Sequence, residues 1–264
     1  MSHRSCPFAL LFVFGLSVQA TAQQPVAPTD QAQERDPQAL AIVQSAVRAM
    51  GGTVPSDTTV TGTVTIVAGS QTSSGTIRIL TRGTDQTSES ITLPQSSLIT
   101  VYSQGAASEV SDANMRSLSL ERSATSQSLC FPLPFLVAAL ANVDEAIQYV
   151  GLESLGQHSV QHIHLRDTFA SNSELQSLSD FTTFDLWIDQ VSGLPLQISG
   201  VRRDGGGSYP RIPFDVSFSD YRSVSGIMYP FSVQKSLNGT LWMSVNITDV
   251  VFNTGLTDSN FAIR

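Results

Sequence analysis

Residues 184–196 read FDLWIDQVSGLPL. Phe184, Leu186 and Ile188 alternate with Asp185, Trp187 and Asp189, so a strand here has one apolar and one polar face. Ser192-Gly193 then supplies turn chemistry, and Leu196 and Ile198 resume the apolar phase on the return strand. Two strands joined by so short a turn pair antiparallel.

The period of two extends in both directions. Upstream, Val60, Val64 and Ile66 alternate with Thr61, Thr63 and Thr65, and Ile77 and Ile79 with Thr76 and Arg78. Ile91 and Leu93 follow, then Leu98 to Tyr102, then Ile163 and Leu165 against His162, His164 and Arg166. Downstream come Phe214, Val216 and Phe218, then Phe231 and Val233 before Lys235, then Leu241, Met243, Val245 and Ile247. Asn238-Gly239 between the last two runs is a strong hairpin signal, and Gly205 to Gly207 marks a loop. The pattern predicts a mainly β, α+β chain: one curved antiparallel sheet or unclosed half-barrel of about 9–11 strands with covering helices.

Two segments break the alternation. Asp36 as N-cap, Pro37 at the first helical position and Ala39, Leu40, Val43, Ala46, Val47 and Met50 at three- and four-residue spacing predict a helix that ends at Gly51-Gly52. Leu129 to Val150 is apolar and holds two prolines. A helix from Phe135 to about Asn142 is expected there, with Leu136, Leu140 and Val143 on one face. Both helices are expected to cover the apolar side of the sheet.

The N-terminus reads as a secretory leader over residues 1–22: Arg4, the apolar run Pro7 to Gly15, and Ala20-Thr21-Ala22 as the small-residue cleavage rule. Residues 23–35, rich in Gln, Pro, Ala and Thr, read as a flexible tether, and 36–264 as one domain. The chain is therefore expected to be periplasmic or secreted and not membrane-spanning. Cys6 leaves with the leader, so Cys130 has no internal disulfide partner and is expected to be buried as a small hydrophobe. The leader also removes Arg4, leaving 13 basic against 22 acidic residues, a charge of −9 that disfavours nucleic acid. Lys235 is the only lysine.

No motif names a reaction. His158, His162 and His164 fall within seven residues, but Arg166 extends the face of the last two and no third ligand is evident, so no metal or cofactor is expected. No G-x-S-x-G elbow and no phosphate-cradling glycine loop is present. Asn238-Gly239-Thr240 and Asn246-Ile247-Thr248 match the glycosylation pattern but read as a turn and a strand. Trp187 and Trp242 sit on the polar phase and are expected in cross-strand pairs or an outer groove.

The order of parts resembles the outer-membrane lipoprotein carrier and lipoprotein-sorting superfamily. The likeness rests on the helix closing at Gly51-Gly52, the hairpin 184–196, Phe218-Ser-Asp-Tyr-Arg222, Gly226-Ile-Met-Tyr-Pro230, Ile247-Thr-Asp-Val-Val-Phe-Asn253, and an end near Phe261. The resemblance implies an unclosed half-barrel with helices over an apolar cavity, periplasmic residence, and a cavity arginine for which Arg78 and Arg82 are candidates. It implies binding or carriage of a lipid, acyl chain or lipoprotein; with no catalytic constellation among the residues, no catalysis is expected. On that basis the cavity is expected to be lined by Ile79, Leu186, Ile188, Leu196, Ile198, Phe214, Val216, Phe218 and Met243. Phe135, Leu136 and Leu140 would form a movable lid. The alternative is a non-catalytic envelope module that recognises a protein partner through a sheet edge or the tryptophan face.

Overall fold

The computed structural model describes residues 34–112, 114–123, 129–202 and 211–263; the expected leader and the tether up to residue 33 lie outside them. Helix α1 (Pro37–Ala49) begins as its sequence dictates, with the Asp36 carboxylate accepting from the Gln38 amide and Pro37 filling the first turn. The chain then makes β1 (Asp57–Ala68), β2 (Gln71–Arg82), β3 (Gln86–Leu93), β4 (Ser96–Ser103), β5 (Ala106–Ser111) and β6 (Asn114–Ser117). A helical turn α2 (Leu120–Ser123) and helix α3 (Pro132–Ala141) follow. The second half is β7 (Glu145–Leu155), β8 (His158–Asp167), β9 (Thr183–Asp189), β10 (Pro195–Arg202), β11 (Ile212–Val224), β12 (Ile227–Leu237) and β13 (Thr240–Phe252).

The thirteen strands of the described residues form one antiparallel sheet in the order β6-β5-β4-β3-β2-β1-β13-β12-β11-β10-β9-β8-β7. β6 and β7 stand at the two ends and do not pair with each other, so the half-barrel does not close. The first and last strands of the domain, β1 and β13, meet in the middle and bind the two arms together. Asn238 and Gly239 both take positive φ, 48° and 72°, the backbone that matches a two-residue turn to strand twist.

One core runs through the molecule. Ala39, Val43, Ala46 and Met50 of α1 and Leu133, Leu136 and Ala139 of α3 pack against the inward phase of the strands. That phase includes Val64, Ile77, Ile163, Leu186, Val216 and Val245. On the other side of β2–β4 a smaller cluster seats Leu80, Val101 and Phe261, so the C-terminal tail covers that surface. The buried Asp57 carboxylate anchors this tail by accepting from the amides of Thr254, Gly255 and Leu256.

The segment expected to form one cover is divided. Helix α3 starts at Pro132, earlier than expected, with a proline again in the first turn. It stops at Ala141, and β7 begins within four residues. Val143 is thereby turned out to 81% exposure instead of sharing a face with Leu136 and Leu140. The break is held by polar contacts. The Asn142 side chain donates to Asp167 Oδ2 at 2.9 Å and to Glu145 Oε2 at 3.4 Å. Arg35, at the end of the expected tether, bridges in parallel to Ile147 and donates to the carbonyls of Leu140 and Asn142. Burial, then repulsion from Asp167, pushes the Glu145 carboxyl up to about 8.

Candidate functional site

A cavity of about 430 Å³ opens on the inward side of the sheet, within the size range of ligand pockets. One wall comes from β3 to β6 with α2, and the other from β10 to β13. Its apolar surface is supplied by Leu98, Leu129, Phe214, Val216, Leu237 and Trp242. Its polar surface is charged: Glu89, Glu109, Arg116, Arg122, Arg202 and Lys235 line it.

Strand parity places these charges. Arg116, Glu109, Thr100 and Glu89 sit side by side in the registers of β6, β5, β4 and β3, forming a polar row across one arm. Lys235 continues the inward phase of Phe231 and Val233 and lies opposite Val216 on β11. Its ammonium reaches across the interior to Glu89 Oε2 at 3.1 Å, with 15% and 14% of the two side chains exposed. Burial works against that ammonium, but the Cys130 sulfur and the Glu89 carboxylate beside it outweigh burial and hold the lysine above its ordinary range. Cys130 is fully buried, as expected, and lies 3.8 Å from the same Glu89 oxygen. Glu109 is gripped twice: Arg122 Nη2 donates to Oε1 at 2.7 Å and Arg116 Nε to Oε2 at 3.0 Å.

The twelve residues expected to line the cavity separate into three groups. Phe214 and Val216 line it. Ile79, Leu136, Leu186, Ile188, Ile198, Phe218 and Met243 are buried in the continuous core. Phe135 and Leu140 are half-buried on α3 against that core, and Leu196 is half-buried where β10 bulges between Pro195 and Gln197. A second recess of about 20 Å³ lies beneath α3, between Phe131, Pro134 and Phe135 and the turn from β2 to β3, and Thr87 borders both it and the larger cavity.

Neither candidate arginine lines the cavity. Arg78 is exposed on the phase opposite Ile77 and Ile79, and Arg82 pairs with Asp258 at 2.8 Å in the C-terminal tail. Among the described residues the arginines at the cavity are Arg116, Arg122 and Arg202. The sequence does carry a signal for the charged lining: Glu89 shares the phase of Ile91 and Leu93, and Lys235 that of Phe231 and Val233.

The histidines lie on the polar phase of β8, away from this lining. His162 Nδ1 is 2.8 Å from Glu153 Oε1, and its Nε2 is 2.9 Å from Asp185 Oδ1, which also meets His164 Nδ1 at 2.9 Å. Trp187 stacks on its cross-strand neighbour His162 at 4.6 Å and donates to Glu153 Oε2, so this tryptophan makes the expected cross-strand pair. Trp242 instead faces the cavity. Among the described residues no group of three or more metal-ligating side chains could hold an ion, and no helix is long and apolar enough to cross a membrane.

No family model and no curated protein matches the sequence. Solved structures match the fold. A domain described as outer membrane lipoprotein-sorting, from Vibrio parahaemolyticus, aligns with a TM-score of 0.56 at 14% identity, covering 84% of this chain and 95% of that one. A LolA superfamily protein from Nitrosomonas europaea aligns at 0.55 and 15% identity, covering 85% and 97%. A DUF1329 family protein from Desulfovibrio piger aligns at 0.53 and 12% identity, covering 84% and 96%. The thirteen-stranded open sheet with helices packed on its inward side is thus a LolA-like half-barrel, the fold of the lipoprotein-sorting proteins.

Proposed function

We propose that this chain is an exported periplasmic binding protein that carries a lipid, an acyl chain or the acylated end of a lipoprotein, and catalyses no reaction. The observation that carries the proposal is the cavity of about 430 Å³, whose apolar surface includes Phe214, Val216, Leu237 and Trp242. Each methylene moved from water onto such a surface contributes roughly 0.8 kcal/mol. The same fold is found in proteins described as lipoprotein-sorting, and residues 1–22 supply the export route. In this reading a longer chain extends past Thr87 under α3 when Phe135, Leu136 and Leu140 lift as a lid. Ile79, Leu186 and Ile198 would then form the floor it meets.

Native mass spectrometry of the mature protein, extracted gently from cell envelopes, tests this. Bound mass in the range of a lipid, released on denaturation, is expected. Protein that is always ligand-free, and stays so after incubation with acyl amphiphiles, would overturn the proposal.

A further inference from the structure

Building on the carrier reading, we infer that the cavity selects amphiphiles with an anionic head, a carboxylate or phosphate, and that Arg116 receives that head. Glu109 carries one negative charge and holds two guanidinium groups. The two are unequal. Arg122 is 9% exposed, whereas Arg116, on the edge strand β6, is 62% exposed, with Glu109 between them at 12%. If Arg116 swings away, Glu109 keeps a buried cationic partner, and what is given up is a pair of donations to Oε2 from a guanidinium that is itself mostly in solvent, a modest cost. Arg116 is therefore the cation that a ligand can recruit at low cost.

Its planar fork matches a carboxylate or phosphate with two parallel hydrogen bonds. A chain attached to that head has Leu98 beside it, and Phe214, Val216 and Leu237 on the facing wall. The other head chemistries fit less well. A cationic head meets Glu109 and Glu89 already paired with Arg122 and Lys235, and faces Arg116 as a like charge. An uncharged head gives Arg116 no reason to leave Glu109. This local preference runs against the formal charge of the whole chain, −8, so it belongs to the cavity and not to long-range attraction.

The test uses the mature chain with Trp187→Phe, so that Trp242, which lines the cavity, is the only tryptophan reporting. Five additions are compared below micelle-forming concentrations: dodecanoate, dodecyl phosphate, dodecyl maltoside, dodecyltrimethylammonium and inorganic phosphate. The two anionic amphiphiles are expected to bind about tenfold more tightly than the neutral and cationic ones, with a preference that weakens in salt. Arg116→Gln should remove the preference, so that within this variant the anionic amphiphiles bind no more tightly than dodecyl maltoside, and Arg116→Lys should restore part of it. Arg116 lies on an exposed edge strand, so an unchanged unfolding midpoint is expected for both variants. Equal binding of all four amphiphiles, or a preference that survives Arg116→Gln, would overturn the inference and leave the carrier reading standing. Inorganic phosphate that binds as well as dodecyl phosphate would assign the site to a free anion and overturn it too. Binding of none of the five would overturn both.

Discussion

Lys235→Met tests whether the cavity wall is built around a charge pair. Methionine keeps most of the lysine's aliphatic bulk, so the main change is loss of the ammonium that lies 3.1 Å from Glu89. Breaking a fully buried pair from one side costs about 3–5 kcal/mol, because the remaining charge loses its counter-charge. Glu89 borders a cavity that water can enter, so the cost here is smaller than for a fully buried pair, about 2–3 kcal/mol. For a domain of this size that lowers the thermal midpoint by about 5–10 °C. The lysine's raised pKa fixes the pH window. Its stabilising contribution is fully present below the ordinary lysine value and is lost only as pH rises through the higher folded value, so the wild-type advantage holds across the neutral range. Urea unfolding followed by circular dichroism should show the loss at pH 7, and adding Glu89→Gln to Lys235→Met should recover about half of it. A Lys235→Met protein within about 0.5 kcal/mol of the parent, or two substitutions whose costs simply add, would refute the reasoning.

Three further outcomes follow from buried groups and close approaches. Glu145 titrates near 8 in the folded chain against 4.5 ordinarily, so folding favours its protonated form and stability should fall as pH rises from about 4.5 to about 8; Glu145→Gln should flatten that decline in unfolding curves taken across the range. The Tyr229 hydroxyl is fully buried with no hydrogen-bond partner among the described residues, and its ring stacks on Phe131 at 4.4 Å, so Tyr229→Phe should stabilise the fold by about 1 kcal/mol in denaturant titration; a loss of that size would show that the hydroxyl is satisfied. A Cβ on Gly62 would stand 2.4 Å from the Asn246 carbonyl oxygen at the irregular pairing of β1 with β13, so Gly62→Ala should cost about 2 kcal/mol or more, checked by the unfolding midpoint.

The elements that local chemistry specifies were legible from the residues. Asp36 and Pro37 mark the start of α1, Asn238-Gly239 makes the hairpin, and alternation locates the strands that have one greasy face. Strands without such a face escaped: β5 (AASEVS) and β6 (NMRS) offer little apolar contrast, and pairing with neighbours holds them in the sheet. That is why the sheet has thirteen strands where about 9–11 were expected. The start of β7 looks like part of a cover because its apolar residues resemble core, yet Val150 and Leu152 are exposed on the edge strand. The site was legible only in outline. Parity points Glu89 and Lys235 inward, but their meeting across the interior depends on how far the two arms curve toward each other, which spacing along one chain does not encode. The same holds for Arg116 and Arg122, which converge on Glu109 from a strand and a helical turn.

Quenching of Trp242 shows whether an acyl chain enters the cavity. A dodecanoate with bromine on its chain is titrated into the Trp187→Phe protein, and into the Trp242→Phe protein in which Trp187, stacked on His162 on the polar face, is the reporter. A chain held in the cavity predicts saturable quenching of Trp242 at one ligand per protein and none of Trp187. Quenching of both tryptophans alike, or of neither, would contradict an acyl chain lodged between the two arms of the sheet.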